Sequence, residues 1–177
     1  MCASRCVDYA EMAVETLAPE DTRAVARRLA ELLRPGDLVA LVGPLGAGKT
    51  CFVQGLAAGL DVAGHAPVVS PTFVLHAVYR GRLTLHHLDG YRLRGAADVA
   101  DLGFEELYES GDVVAVEWPD RLGPAAPAEA LAVMFTIESP TRRTLRFAPR
   151  PAHARGPTAL LARFCAESPS PFRRGLG

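Results

Sequence analysis

One eight-residue segment constrains this chain more than any other. Gly43-Pro-Leu-Gly-Ala-Gly-Lys-Thr50 fits the pattern G-x-x-x-x-G-K-[ST]. It follows Asp37-Leu-Val-Ala-Leu-Val42, an apolar run between turn residues that reads as a buried strand. It opens a predicted helix from Thr50 to Leu60, where Phe52, Val53, Leu56 and Leu60 make an apolar face. A glycine loop between a strand and a helix is the setting in which this pattern cradles phosphates. Gly43, Gly46 and Gly48 let the backbone take turns that a Cβ would block. The N–H groups of Leu45, Gly46, Ala47, Gly48, Lys49, Thr50 and Cys51 are the candidate lining of an anion nest. The positive end of the helix dipole points at the same place. Lys49 is expected to reach the β- and γ-phosphates of a nucleoside triphosphate, and the Thr50 hydroxyl to ligate Mg2+.

The rest of the composition sharpens this. Of 19 basic residues only Lys49 is a lysine; the others are arginines. A chain that otherwise uses arginine keeps its one compact ammonium where a planar guanidinium would be too broad. The formal net charge of −1 argues against a broad basic face for nucleic acid. No run of about 20 apolar residues suggests a membrane span. Cys2, Cys6, Cys51 and Cys165 lack the spacing of a zinc site and read as free thiols of a reducing cytosol, so the expected location is cytoplasmic.

Along the chain, Met12–Leu17 reads as a short strand and Pro19–Leu33 as a helix with acids in its first turn. Phe73–Tyr79 and Arg82–Leu88 read as strands of a hairpin joined at Arg80-Gly81, with a helical stretch at Ala96–Ser110 broken near Gly103. Asp112–Val116 and Leu131–Glu138 read as strands, and Thr144–Phe147 closes a hairpin after a turn at Pro140–Arg143. Thr158–Cys165 reads as a last helix, and Ser168–Gly177 as disordered. The expected fold is α/β: a three-layer P-loop nucleoside triphosphatase (NTPase) with a mainly parallel central sheet and antiparallel edge strands. The expected division is an ATPase domain over residues 1–150 and an extension over 151–177, partly helical and then disordered.

Hydrolysis needs an acid near magnesium and a group that places water. Two predicted strands end in an acid: Leu88-Asp89 and Val116-Glu117, the latter followed by Trp118. The second strand is the cleaner apolar run. His86 and His87 interrupt the first, which suggests a less buried edge with one histidine packed and one solvated. Ser70-Pro-Thr72 sits where P-loop switches place a threonine that senses the γ-phosphate, although the same tripeptide is also an ordinary turn.

With these segments together, the chain resembles the TsaE family, also called YjeE, small bacterial ATPases required for threonylcarbamoyladenosine in tRNA. The resemblance rests on Gly43–Thr50, Ser70-Pro-Thr-Phe73, His87-Leu-Asp-Gly-Tyr-Arg-Leu93, Glu117-Trp118 and the acidic stretch Gly103–Leu107, and covers about Thr16 to Phe147. It implies that ATP and Mg2+ are the ligands, with Lys49 and Thr50 on phosphates and metal. It implies Asp89 as the Walker B acid, Glu117 as magnesium ligand or water-positioning residue, Thr72 in a switch loop and Trp118 beside the nucleotide. On looser alignment, Thr22 and Arg143 approach the nucleotide too. The implied partners are TsaB and TsaD, TsaD carrying the transferase chemistry, so that tRNA is met only through the complex and no membrane is involved. Pro44, Cys51 and Gly90 depart from the family's usual Asp, Thr and Leu; Gly90 raises the expectation of a looser turn after Asp89. Two other readings stand beside this one. A small-molecule kinase needs an arginine-bearing lid, and too little chain surrounds Arg92 and Arg94 to make one. A nucleotide-gated binding module without useful turnover has no need of Glu117.

Overall fold

A computed structural model describes residues 11–62, 68–69, 71, 75–93, 98, 103, 106–107, 110–151 and 154–167. The order is β1 (Met12–Thr16), α1 (Pro19–Leu32), β2 (Leu38–Val42), α2 (Lys49–Gly59), β3 (His76–Tyr79), β4 (Leu85–Asp89), β5 (Val113–Glu117), β6 (Ala130–Ile137), β7 (Arg143–Arg150) and α3 (Arg155–Glu167). The strands form one sheet in the order β1-β7-β6-β2-β5-β4-β3. β6, β2, β5 and β4 run parallel. β1, β7 and β3 pair antiparallel at the margins. The expected α/β fold with a parallel centre and antiparallel edges is what forms.

Local chemistry explains why the elements begin where they do. Asp21 Oδ2 accepts from the Leu17 and Ala18 amides at 2.9 and 3.1 Å, fixing the start of α1, with Pro19 in its first turn. α1, α2 and α3 cover one face of the sheet, and Val25, Leu29, Phe52, Leu56, Leu161 and Phe164 share a single core with Val39, Leu41 and Phe147. A smaller cluster of Leu88, Leu93, Val114, Val116 and Leu122 covers the other face. The alternation on β4 and β5 therefore sorts side chains cleanly: His87, Asp89, Ala115 and Glu117 belong to the α2 side, and His86, Leu88, Val114 and Val116 to the opposite side.

Five expectations change. β4 is an interior strand rather than an edge, because β3 pairs along its outer side. Both histidines are buried: His87 lies inside the core, and His86 is covered by His76 and Asp112. The β3–β4 connection is longer than Arg80-Gly81, because it docks on the end of α2 through Arg82 N to Leu60 O at 2.6 Å. β7 and α3 also run further than their apolar runs suggested. β7 pairs with β6 along its whole length, and α3 buries Leu160, Leu161, Phe164 and Cys165 against the helical-side core. Most of Ala96–Ser110, and Ser168–Gly177, lie outside the described residues.

Candidate functional site

β2, β4 and β5 run parallel, so their C-terminal ends face the same way and carry the P-loop, Asp89 and Glu117 respectively. That edge is where ligands bind in open α/β sheets. The loop turns through left-handed backbone at Gly46 (φ 75°) and Gly48 (φ 101°), the second being the residue from which α2 starts. A side chain at either position would be strained. The register places Asp89 directly opposite Glu117, so two carboxylates stand side by side at the mouth of a cleft of about 370 Å3. The cleft is lined by Leu45 to Cys51, Asp89, Tyr91, Glu117 and Trp118.

Inside it the side chains are already engaged. Lys49 Nζ donates to the carbonyls of Gly43 (2.8 Å) and Pro44 (2.9 Å) and lies 4.1 Å from the centroid of the Trp118 ring. Burial pushes the Lys49 ammonium below its ordinary value, and the charges of Glu117 and Asp89 oppose that. Thr50 Oγ1 donates to Glu117 Oε1 at 2.8 Å. His87 Nε2 reaches the same oxygen at 3.0 Å. Asp89 Oδ1 accepts from the Tyr91 amide at 3.0 Å, capping the 3-10 turn Gly90–Arg92. Lys49, Asp89 and Glu117 are each only 4 % exposed, so three charged groups are withdrawn from water in one place. Withdrawing three charges together is costly even when they pair, and such concentrations cluster at functional sites.

Trp118 holds a left-handed backbone (φ 58°, ψ 51°), a conformation that a bulky residue keeps only when its surroundings impose it. Its amide donates to Leu41 O on the P-loop strand at 3.2 Å, and its ring meets Tyr91 at 5.3 Å between centroids. Gly90 explains how the two strand ends come this close. A Cβ there would lie 2.7 Å from Trp118 O and 3.2 Å from Glu117 O. Rather than loosening the turn after Asp89, Gly90 allows β4 and β5 to converge.

The remaining sequence candidates fall differently. Arg143 reaches the loop at Gly46 O (3.5 Å), while its guanidinium also donates to Ser139 O at 2.7 Å. Thr22 is buried, and its hydroxyl donates to Thr16 Oγ1 at 3.0 Å; it is not part of the cleft lining. The Cys51 thiol donates to Pro19 O at 3.2 Å and accepts from Arg23 at 3.4 Å. Thr72 lies outside the described residues. Two residues were passed over in sequence: Tyr91, two places after Asp89, and His87, whose bond to Glu117 depends on the β4–β5 register.

Among the described residues no group of three or more His, Cys, Asp or Glu side chains forms a metal cage. Magnesium does not require one. It keeps several waters and takes one or two carboxylates together with substrate phosphates. A threonine hydroxyl beside two buried carboxylates fits that donor set.

Residues 16–145 match the family model described as Threonylcarbamoyl adenosine biosynthesis protein TsaE. The chain belongs to the TsaE family. It is 39% identical over 129 residues to the tRNA threonylcarbamoyladenosine biosynthesis protein TsaE of Treponema pallidum, covering 73% of this chain and 94% of that one. The protein of the same name from Bacillus subtilis is 37% identical over 133 residues, covering 75% and 82%. The crystal structure of Bacillus subtilis YdiB superposes with a TM-score of 0.70 at 29% identity, covering 88% of this chain and 95% of that one. The TsaE match takes in every cleft residue named above. No helix among the described residues is long and apolar enough to cross a membrane.

Proposed function

We propose that this TsaE-family protein is a magnesium-dependent ATPase that serves threonylcarbamoyladenosine formation in tRNA by acting on a TsaB–TsaD pair. Membership of the family supports nucleotide binding and the tRNA-modification role. The single observation that carries the hydrolytic reading is the 2.8 Å bond between Thr50 and Glu117. It puts the magnesium-ligating hydroxyl of a P-loop against a buried acid from the neighbouring strand.

In this reading the loop amides from Leu45 to Cys51 bind the phosphates, and Lys49 leaves the Gly43 and Pro44 carbonyls to neutralise phosphate charge. Thr50, Glu117 and Asp89 would hold the metal, which would supply charge neutralisation at the phosphates when bound. Glu117, in contact with Thr50, also orients the attacking water. Trp118 and Tyr91 wall the cleft, and Arg143 steadies the loop from outside at Gly46. Thr72, by its place in the chain, is proposed to respond to the γ-phosphate. The net charge of −1 supports spending ATP on a protein complex rather than on tRNA directly.

The test is steady-state ATP hydrolysis with and without the TsaB–TsaD pair. Stimulation by the pair, dependent on Mg2+, is the expected result. Turnover unchanged by the pair, in a protein that binds ATP, would refute the accessory role.

A further inference from the structure

His87 is the most deeply buried charged or polar side chain of the site, at 0% exposure, and no step above uses it. Its Nε2 lies 3.0 Å from Glu117 Oε1. A carboxylate oxygen only accepts, so this contact assigns the proton to Nε2. Among the described residues its Nδ1 is buried with no hydrogen-bond partner. A buried nitrogen without a partner costs stability, and such groups call for an explanation in function. If position 87 served packing alone, an aliphatic side chain would fill it without that cost.

The register supplies the explanation. His87 sits two residues before Asp89 on the same face of β4, one pleat behind the pair Asp89 and Glu117. It approaches Glu117 from within the core, while Thr50 approaches from the P-loop side. Both described bonds end on Oε1.

We propose that His87 is a positioning residue for Glu117: its Nε2–H fixes the carboxylate so that one oxygen is presented to magnesium or to water. The inference rests on the magnesium reading above and deepens it. Thr50 alone is a poor anchor, because its hydroxyl must also face the metal once nucleotide is bound. His87 has no such second task and holds the carboxylate through the whole cycle. Metal-site carboxylates and their outer partners act as a unit in this way.

Two isosteric replacements separate donation from packing. His87→Gln keeps an N–H donor on an unbranched side chain, and His87→Met has the same reach without one. The readout is Mg2+ titration of ATPγS binding, followed by fluorescence of Trp118, the chain's only tryptophan. In His87→Met the Mg2+ concentration for half-maximal tightening should rise about 10- to 100-fold. Metal-free ATPγS affinity should stay as in the wild type, and His87→Gln should recover most of the loss. Equal behaviour of the Gln and Met variants, in a background where wild type responds to Mg2+, would overturn the positioning role while leaving the magnesium reading intact. A wild type indifferent to Mg2+ would overturn both. Should the Met variant not fold, a His87→Gln protein whose Mg2+ requirement matches that of Glu117→Gln also refutes the proposal, and one matching wild type upholds it.

Discussion

His86 and His87 are neighbours on one strand, yet the sheet gives them opposite lives. His87 faces the helical side and donates toward Glu117 in the nucleotide cleft. His86 faces the other side, where Nδ1 meets His76 Nε2 at 2.9 Å and Nε2 meets Asp112 at 3.0 Å. The two imidazoles His76 and His86 stack at 5.1 Å and tie the edge strand β3 to the start of β5. One face of β4 thus meets the cleft, where we propose the chemistry, and the other ties strands together. The difference comes from strand alternation and from the layer each face meets, not from the residue type.

The largest effect that sharpens this contrast lies on the chemical face. Lys49→Arg should lower ATP affinity by about 100-fold or more, because a planar fork does not fit the loop that seats a compact ammonium. Isothermal titration with ATP and Mg2+ measures it, and near-normal affinity would break the cradle argument.

A second variant probes the support of that face. Gly59 ends α2 where α1 passes so close that a Cβ would lie 2.3 Å from Arg27 O and 2.7 Å from Ala30 Cβ. Gly59→Ala should destabilise the fold by about 1–3 kcal/mol and lower Tm by several degrees in thermal unfolding, since backbone must shift to admit it. An unchanged Tm would mean that the two helices separate freely.

The smallest effects belong to the structural face. Burial, and then His86 and His87, hold His76 below its ordinary value of 6.5. The unfolded chain therefore binds the proton more readily. This contribution to stability is present above pH 6.5 and is lost as pH falls from there toward the folded value. His76→Gln should flatten the slope of Tm against pH in that window, and a slope as steep as wild type would count against it. His86→Gln should leave ATP affinity within about twofold of wild type. A loss like that expected on the other face would erase the comparison.

Much of this was legible in the sequence for physical reasons. Gly43–Thr50 carries its own context, and Asp89 and Glu117 mark the ends of strands that proved to be neighbours. What remained hidden depends on contacts between distant segments. Only one of the two histidines was expected to pack, because the cover that β3 and Asp112 give His86, like the core around His87, comes from distant segments. Gly90 read as a weak turn residue, since the approach of Trp118 that requires it is not local. Thr22 looked free to reach a ligand until Thr16 took its hydroxyl. The hairpin at Arg80-Gly81 lengthened because α2 offered Arg82 a carbonyl at Leu60.

ATP turnover is proposed to depend on Glu117, held against Thr50, and not on the P-loop alone. Binding and turnover of ATP by Glu117→Gln, measured on one preparation at saturating Mg2+, test it most directly. Affinity within about threefold of wild type, with turnover reduced about 10²- to 10⁴-fold, is the result this account predicts. Turnover equal to wild type would contradict it and remove Glu117 from the mechanism.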